Sequence, residues 1–149
     1  MNNYEVNTNT IALIPIDVNK TRIIEVEKSF VVNMNCMKIV ERSCEYFGSS
    51  YLGRHIGTKK LTGISHKSPI IIEESRNLIY FPTTSPRLEE CSWFALRYIL
   101  DYKSNNGKSL IFLENGEKIE VDISIGSFDN QYLRATKLES ILRKRKLTW

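Results

Sequence analysis

An α+β domain made mainly of antiparallel strands is the fold class this sequence predicts, and three observations predict it. Short β-branched runs separated by turn-forming residues recur in the first third of the chain, and an Asn-Gly pair stands between two apolar runs further on. Two segments, 36–47 and 127–146, repeat apolar residues at the three-and-four spacing of a helix, and the second finishes in cations.

The elements follow in order. Within the first 33 residues, 10–16, 22–26 and 30–32 are rich in Ile and Val and are broken by Pro15, Asp17, Asn19 and Lys28, which predicts three strands. Met37, Val40, Cys44 and Phe47 then form a helical stripe, with Asn35 placed to cap it and Gly48 to stop it, so about three turns are expected. Residues 48–63 hold four of the seven glycines among hydroxyls and cations and read as a glycine-rich loop. The apolar runs 69–73 and 78–81 suit a hairpin, and 82–86 a loop. Residues 92–102 fit two periods, because Phe94, Leu96, Tyr98, Leu100 and Tyr102 alternate while Trp93, Leu96 and Leu100 also suit a helix; the aromatic content favours a strand. In 109–124, Asn115-Gly116 supplies the residues of a type I′ turn, and Ile119, Val121 and Ile123 alternate with Glu120 and Asp122, which predicts a two-stranded hairpin. Ser127 is expected to cap the last helix, whose stripe of Phe128, Tyr132, Ala135, Leu138 and Leu142 would face either the core or a second copy of the chain.

At 149 residues, 42% hydrophobic and 26% charged, the chain fits one domain over 1–149 with a core that needs no disulfide. No window approaches the roughly 20 apolar residues of a membrane span, and the first ten residues are too polar for a signal peptide. Cys36, Cys44 and Cys91 are too few and too far apart for a disulfide framework, so a cytoplasmic location is expected.

Charge is segregated. Residues 37–67 carry Lys38, Arg42, Arg54, Lys59, Lys60 and Lys67 against Glu41 and Glu45. Residues 134–146 carry Arg134, Lys137, Arg143, Lys144, Arg145 and Lys146 against Glu139, so the rest of a chain of net charge +4 is acidic. Clustered cations that displace condensed counterions favour a polyanion partner; alternatively, a run such as Arg143 to Lys146 is the solvated end of a helix beside the negative pole of its own dipole.

Enzyme signatures fail. Gly48 and Gly53 have the spacing of a phosphate-cradling loop, but Arg54-His55 follows in place of Lys-Ser/Thr. Cys91 precedes an aromatic as in papain-like proteases, yet Glu89-Glu90 stands before it, both histidines lie upstream, and neighbouring carboxylates oppose a thiolate, so Cys91 reads as a buried structural cysteine. Three Cys and two His without a C-x2–4-C pair make no zinc pattern, and Glu73-Glu74 and Glu89-Glu90 suit solvated turn tips. Neither catalysis nor a cofactor is expected.

The segment Ser49-Ser50-Tyr51-Leu52-Gly53-Arg54-His55-Ile56-Gly57-Thr58-Lys59-Lys60 combines close backbone approach with hydroxyls and cations that can meet phosphates, and Arg54 can enter a narrow groove of high negative potential. The candidate DNA-contacting residues are therefore Ser49, Ser50, Tyr51, Gly53, Arg54, His55, Thr58, Lys59, Lys60 and Lys67, together with Arg143, Lys144, Arg145 and Lys146.

Phe47-Gly48-Ser49-Ser50-Tyr51 with Gly53-Arg54 and Gly57-Thr58, then Ile64-Ser65-His66-Lys67 with Pro69, Phe81-Pro82-Thr83, Cys91 before Trp93, Asn115-Gly116, Ile123-Ser124, Ser127-Phe128 and Asn130-Gln131 closely resemble the ComK family of competence transcription factors. The match runs in order over residues 4–138. The resemblance implies an activator that binds A/T-rich promoter boxes of double-stranded DNA largely through the minor groove, as dimers assembling into a tetramer or larger complex, with RNA polymerase as a further partner and DNA uptake genes as targets. It also implies delivery to a Clp protease by an adaptor that uses a Phe-Met-Leu-Tyr-Pro segment in the tail of longer relatives. This sequence ends Lys146-Leu147-Thr148-Trp149, so adaptor control through that tail is not expected here. The alternative reading is a shortened paralogue that acts as a protein-interaction module or modulates transcription.

Overall fold

The computed structural model describes residues 1–147; Thr148 and Trp149 lie outside the described residues. Strands β1 (Thr10–Asp17), β2 (Lys20–Glu25), β3 (Ser29–Val32), β4 (Ile70–Glu73), β5 (Leu78–Pro82) and β6 (Trp93–Ala95) form one antiparallel sheet in the order β3-β2-β1-β6-β5-β4. Strands β7 (Ile99–Asn105), β8 (Lys108–Leu113) and β9 (Lys118–Val121) form a second antiparallel sheet in chain order. Helices α1 (Cys36–Tyr46), α2 (Tyr51–Thr62) and α3 (Ile125–Leu147) complete the α+β fold that the patterning predicts.

Because successive strand residues point to opposite faces, the large sheet fills two cores. Leu13, Ile23, Ile70, Ile72, Tyr80 and Trp93 face α1, which contributes Ile39, Val40 and Cys44. Their chain neighbours Ala12, Ile24, Ile71, Ile79, Phe81 and Phe94 face the second sheet and α3. Burial on both sides explains why runs such as Ile70-Ile71-Ile72 are apolar without interruption. The stripe on α3 is spent inside this second core, where Phe128, Ala135, Leu138 and Leu142 are buried and Tyr132 packs at its margin. It is therefore a core face and not a surface for a second copy.

Four local expectations are corrected. Residues 51–62 are a helix where a loop was expected: the Ser50 hydroxyl accepts the Gly53 N–H at 2.9 Å, and Gly63, at φ +81°, sends its N–H to the Lys59 carbonyl at 2.8 Å. Both are ordinary capping signals, hidden by Gly53 and Gly57, each of which costs a helix about 1 kcal/mol relative to Ala. Packing supplies the compensation: the buried Thr58 hydroxyl donates to the Pro69 carbonyl at 2.7 Å, and the Tyr51 ring meets Trp93 edge-on at 6.3 Å.

The expected strand over 92–102 exists in two parts, separated by a 3-10 turn at Leu96–Tyr98 that carries the chain from the first sheet into the second. The apolar period of the sequence runs on through that turn, but the buried positions shift from Phe94 and Leu96 to Ile99 and leave Leu100 exposed, so the period alone does not reveal the change of sheet. The type I′ hairpin belongs to Asn106-Gly107, with φ +53° and +82°, between β7 and β8. At 115–116 only the glycine is left-handed, at φ +91°, and the Gly116 N–H to Leu113 carbonyl bond of 2.9 Å closes a longer turn. Finally, Ser124 rather than Ser127 caps α3, its hydroxyl accepting the Ser127 N–H at 3.2 Å; with two serines at the boundary and Gly126 between them, the pattern points equally to either.

Cys36, Cys44 and Cys91 are all buried and free. Burial raises the thiol pKa of each, that of Cys44 to about 11, which leaves the neutral S–H form at physiological pH. Among the described residues no group of three or more His, Cys, Asp or Glu side chains is placed to hold a metal ion, and no helix is long and apolar enough to cross a membrane.

Candidate nucleic-acid interface

The two cation-rich segments, about seventy residues apart in sequence, meet in space. Helix α3 lies beside the C-terminal end of α2: the Arg134 guanidinium donates to the His66 carbonyl at 2.7 Å, and Lys137 Nζ donates to the Thr62 carbonyl at 3.1 Å. Thr62 is the last residue of α2, so Lys137, Lys59 and Lys60 all cluster at the negative pole of one helix. That pole stabilises the cations, and it also holds them together on one surface.

Within α2 the inward face is set by Thr58 and Tyr51 and the outward face by Leu52, Gly53, Ile56, Lys59 and Lys60, all of which are exposed. Of the expected contact residues, Lys59, Lys60 and Gly53 are therefore presented to solvent. Ser50 is exposed but committed to the cap, and Ser49 is half-buried. Thr58 faces inward and has no route to a partner, because its hydroxyl is spent on Pro69. Arg54 is half-buried on the side toward α1, where its charge opposes the burial-driven rise of the Cys44 pKa, and its Nε is enclosed without a hydrogen-bond partner. His55 stacks on Tyr51 at 6.1 Å, and burial pushes the Tyr51 phenol up to about 12, so it stays a neutral O–H.

Lys67 is exposed in left-handed backbone, φ +49°, a conformation that costs a residue with a Cβ. Gln131 stabilises it: this buried side chain reaches from α3 and donates from Nε2 to the Lys67 and Pro82 carbonyls, both at 2.8 Å. The far run is less uniform than its sequence. Arg143 pairs with Glu139 one turn back at 3.2 Å, and Lys146 Nζ is tied to the Glu74 carbonyl and to Asn77 Oδ1, both at 3.0 Å, while Lys144 and Arg145 are exposed. Lys144 follows Lys137 by seven residues, two turns and about 10 Å along the same face of α3, so these cations form an elongated stripe, whereas Lys146, half a turn further round, lies on the opposite face.

Arg134, Lys137 and Gln131 are absent from the sequence-based contact set. The excess charge of residues 134–146 already contained the first two, but their role depends on α2 lying alongside, and Gln131 carries no signal that separates it from any surface glutamine.

The sequence profile of the ComK protein matches residues 1–147. The chain belongs to the ComK family. Among proteins similar to it, the competence transcription factor of Bacillus subtilis (strain 168) is 38% identical over 149 residues, which covers 97% of this chain and 78% of that relative. No solved structure matches the chain. In this ComK-family fold the segment from Phe47 to Thr58 that carries the resemblance is the N-terminal capped turn and inner face of α2, so part of what makes it distinctive is architectural: Ser50 caps, Tyr51 packs on Trp93, and Thr58 fastens α2 to the start of β4.

Proposed function

We propose that this ComK-family chain is a transcription factor that activates competence genes by binding A/T-rich promoter boxes mainly through the minor groove, as a dimer or larger assembly in the cytoplasm that engages RNA polymerase. The observation that carries the reading is the junction of α2 and α3, which gathers Lys59, Lys60, Lys67, Arg134 and Lys137 from both cation-rich segments onto one side of an otherwise acidic molecule. A stripe of that kind neutralises successive phosphates, and the narrow A/T minor groove adds a negative potential that favours inserted cations. Arg54 is the proposed groove-reading residue, a role that requires its guanidinium to swing out of the half-buried position it holds beside α1; a guanidinium is more weakly hydrated than an ammonium and loses less on entering the groove. The interaction-module alternative loses support, because the apolar stripe of α3 is buried in the chain's own core.

The test is a gel shift on an A/T-box fragment against a G/C-rich control, repeated across salt and with a small molecule that occupies A/T minor grooves. The expected result is preferential binding to the A/T fragment, steep loss with salt and displacement by the groove ligand. Unchanged binding at saturating ligand would exclude minor-groove readout, because the minor groove separates A·T from G·C whereas major-groove readers ignore its occupancy.

Gly57 gives a second, two-sided expectation. A Cβ built there meets nothing within 4 Å, so Gly57→Ala is expected to stabilise the fold by about 0.5–1 kcal/mol through lower chain entropy. If the α2 backbone approaches DNA closely, the same variant binds the A/T box more weakly despite its higher melting temperature. Tighter or equal binding would show that α2 does not come that near.

A further inference from the structure

The chain has two histidines, and both line one cleft. Its walls come from four parts of the chain: α1 contributes Glu41, α2 contributes Tyr51 and His55, the connection after α2 contributes His66 and Lys67, and the loop between β5 and β6 contributes Arg87. The cleft is about 380 Å³, open to solvent on one side and large enough for a phosphoryl group with part of what it is attached to. Ser65 and Ser85 also line it.

Among the described residues, neither Lys67 nor Arg87 has an ion-pair partner, and Glu41 is the sole carboxylate lining the cleft, so two permanent cations face one anion. The Nδ1 of His55 is shielded from solvent without a protein hydrogen-bond partner. The Tyr51 phenol remains an O–H donor. A wall of uncommitted donors and cations, held by the Gln131 bond that fixes the Lys67 backbone, is suited to a tetrahedral oxyanion.

The geometry points to a binding site for a phosphate-class anion in this cleft, held by Lys67 and Arg87 with the two imidazoles as further donors. The phosphoryl group is either a backbone phosphate of bound DNA or that of a free small molecule; in the first case the site deepens the DNA-binding reading above, and in the second it is a separate ligand site.

The experiment is a titration of the full chain with inorganic phosphate at fixed pH, read by NMR on the imidazole ring signals, all of which come from this cleft. Saturable shifts of both His55 and His66 are expected, with apparent affinity at least tenfold weaker in Arg87→Gln and in Lys67→Gln/Arg87→Gln, and unchanged in Lys20→Gln. Both cleft cations are exposed, and circular dichroism checks that each variant is folded. An A/T-rich duplex added afterwards assigns the source: displacement of phosphate from the cleft identifies a DNA backbone phosphate, and retention of the phosphate shifts with DNA bound identifies a free ligand. Absence of saturable shifts, or shifts that survive the double substitution, overturns the site. A gel shift on the same samples reports DNA binding independently, so failure of the cleft and failure of the DNA-binding reading are told apart.

Discussion

Replacing Lys59, Lys60, Lys137 and Lys144 together by Gln is expected to flatten the slope of log K against log salt by up to about 3.6, from about 0.9 for each lost phosphate contact. The four belong to the exposed stripe along α2 and α3, and none of them is buried in either core. Affinity should fall on A/T-box and random DNA by similar factors, since phosphate contacts carry no sequence information, so the specificity ratio should hold while both dissociation constants rise. Lys137 also donates to the end of α2, so the melting temperature of the variant must be compared with that of the parent. A slope equal to that of the parent would mean that these cations merely neutralise the C-terminal poles of their helices and that DNA binds elsewhere.

Phe128→Ala is expected to cost about 3–5 kcal/mol, a large part of the roughly 5–15 kcal/mol by which domains of this kind are stable. The Phe128 ring is fully buried and meets Phe81 at 5.6 Å, Phe94 at 5.8 Å and Tyr102 at 5.0 Å, so it joins the large sheet, the second sheet and α3 at one point. Removing it leaves a cavity between three elements that cannot all close on it. Urea unfolding should show a lower midpoint with little change in slope, and Phe128→Leu should recover part of the loss. The same measurement bears on the dimer-face reading of the α3 stripe. A small loss whose size depends on protein concentration would place Phe128 between two copies, and a large loss independent of concentration places it in the core.

Local chemistry was legible wherever the deciding neighbours lie within a few residues. The period of two in β8 and β9, the three-and-four stripes of α1 and α3, and Asn35 as the cap of α1, its Oδ1 accepting the Lys38 N–H at 3.1 Å, all follow from short-range geometry. The hairpin of β4 and β5 is found where apolar runs flank polar residues 74–77. The candidate site was legible in its charge but not in its membership. Lys59 and Lys60 are exposed, Thr58 faces the core, and Arg134 and Lys137 come beside α2 only because α3 lies against it.

What the sequence determined by itself is therefore the strand and helix periods, the ends of α1, the amphipathic stripe of α3 and the segregation of charge, because each depends on spacing along a short stretch of chain. Tertiary structure decided the rest. It made residues 51–62 a helix by anchoring Thr58 and Tyr51 against β4 and Trp93, which offsets the roughly 2 kcal/mol that Gly53 and Gly57 cost. It broke 92–102 at Leu96–Tyr98, because a strand that continued straight would leave Ile99 outside the second core. It brought residues 62–67 against 131–137, since covering both faces of the large sheet places α1 and α2 on one side and wraps α3 around from the other, and only that long-range burial turns two separate runs of cations into one surface.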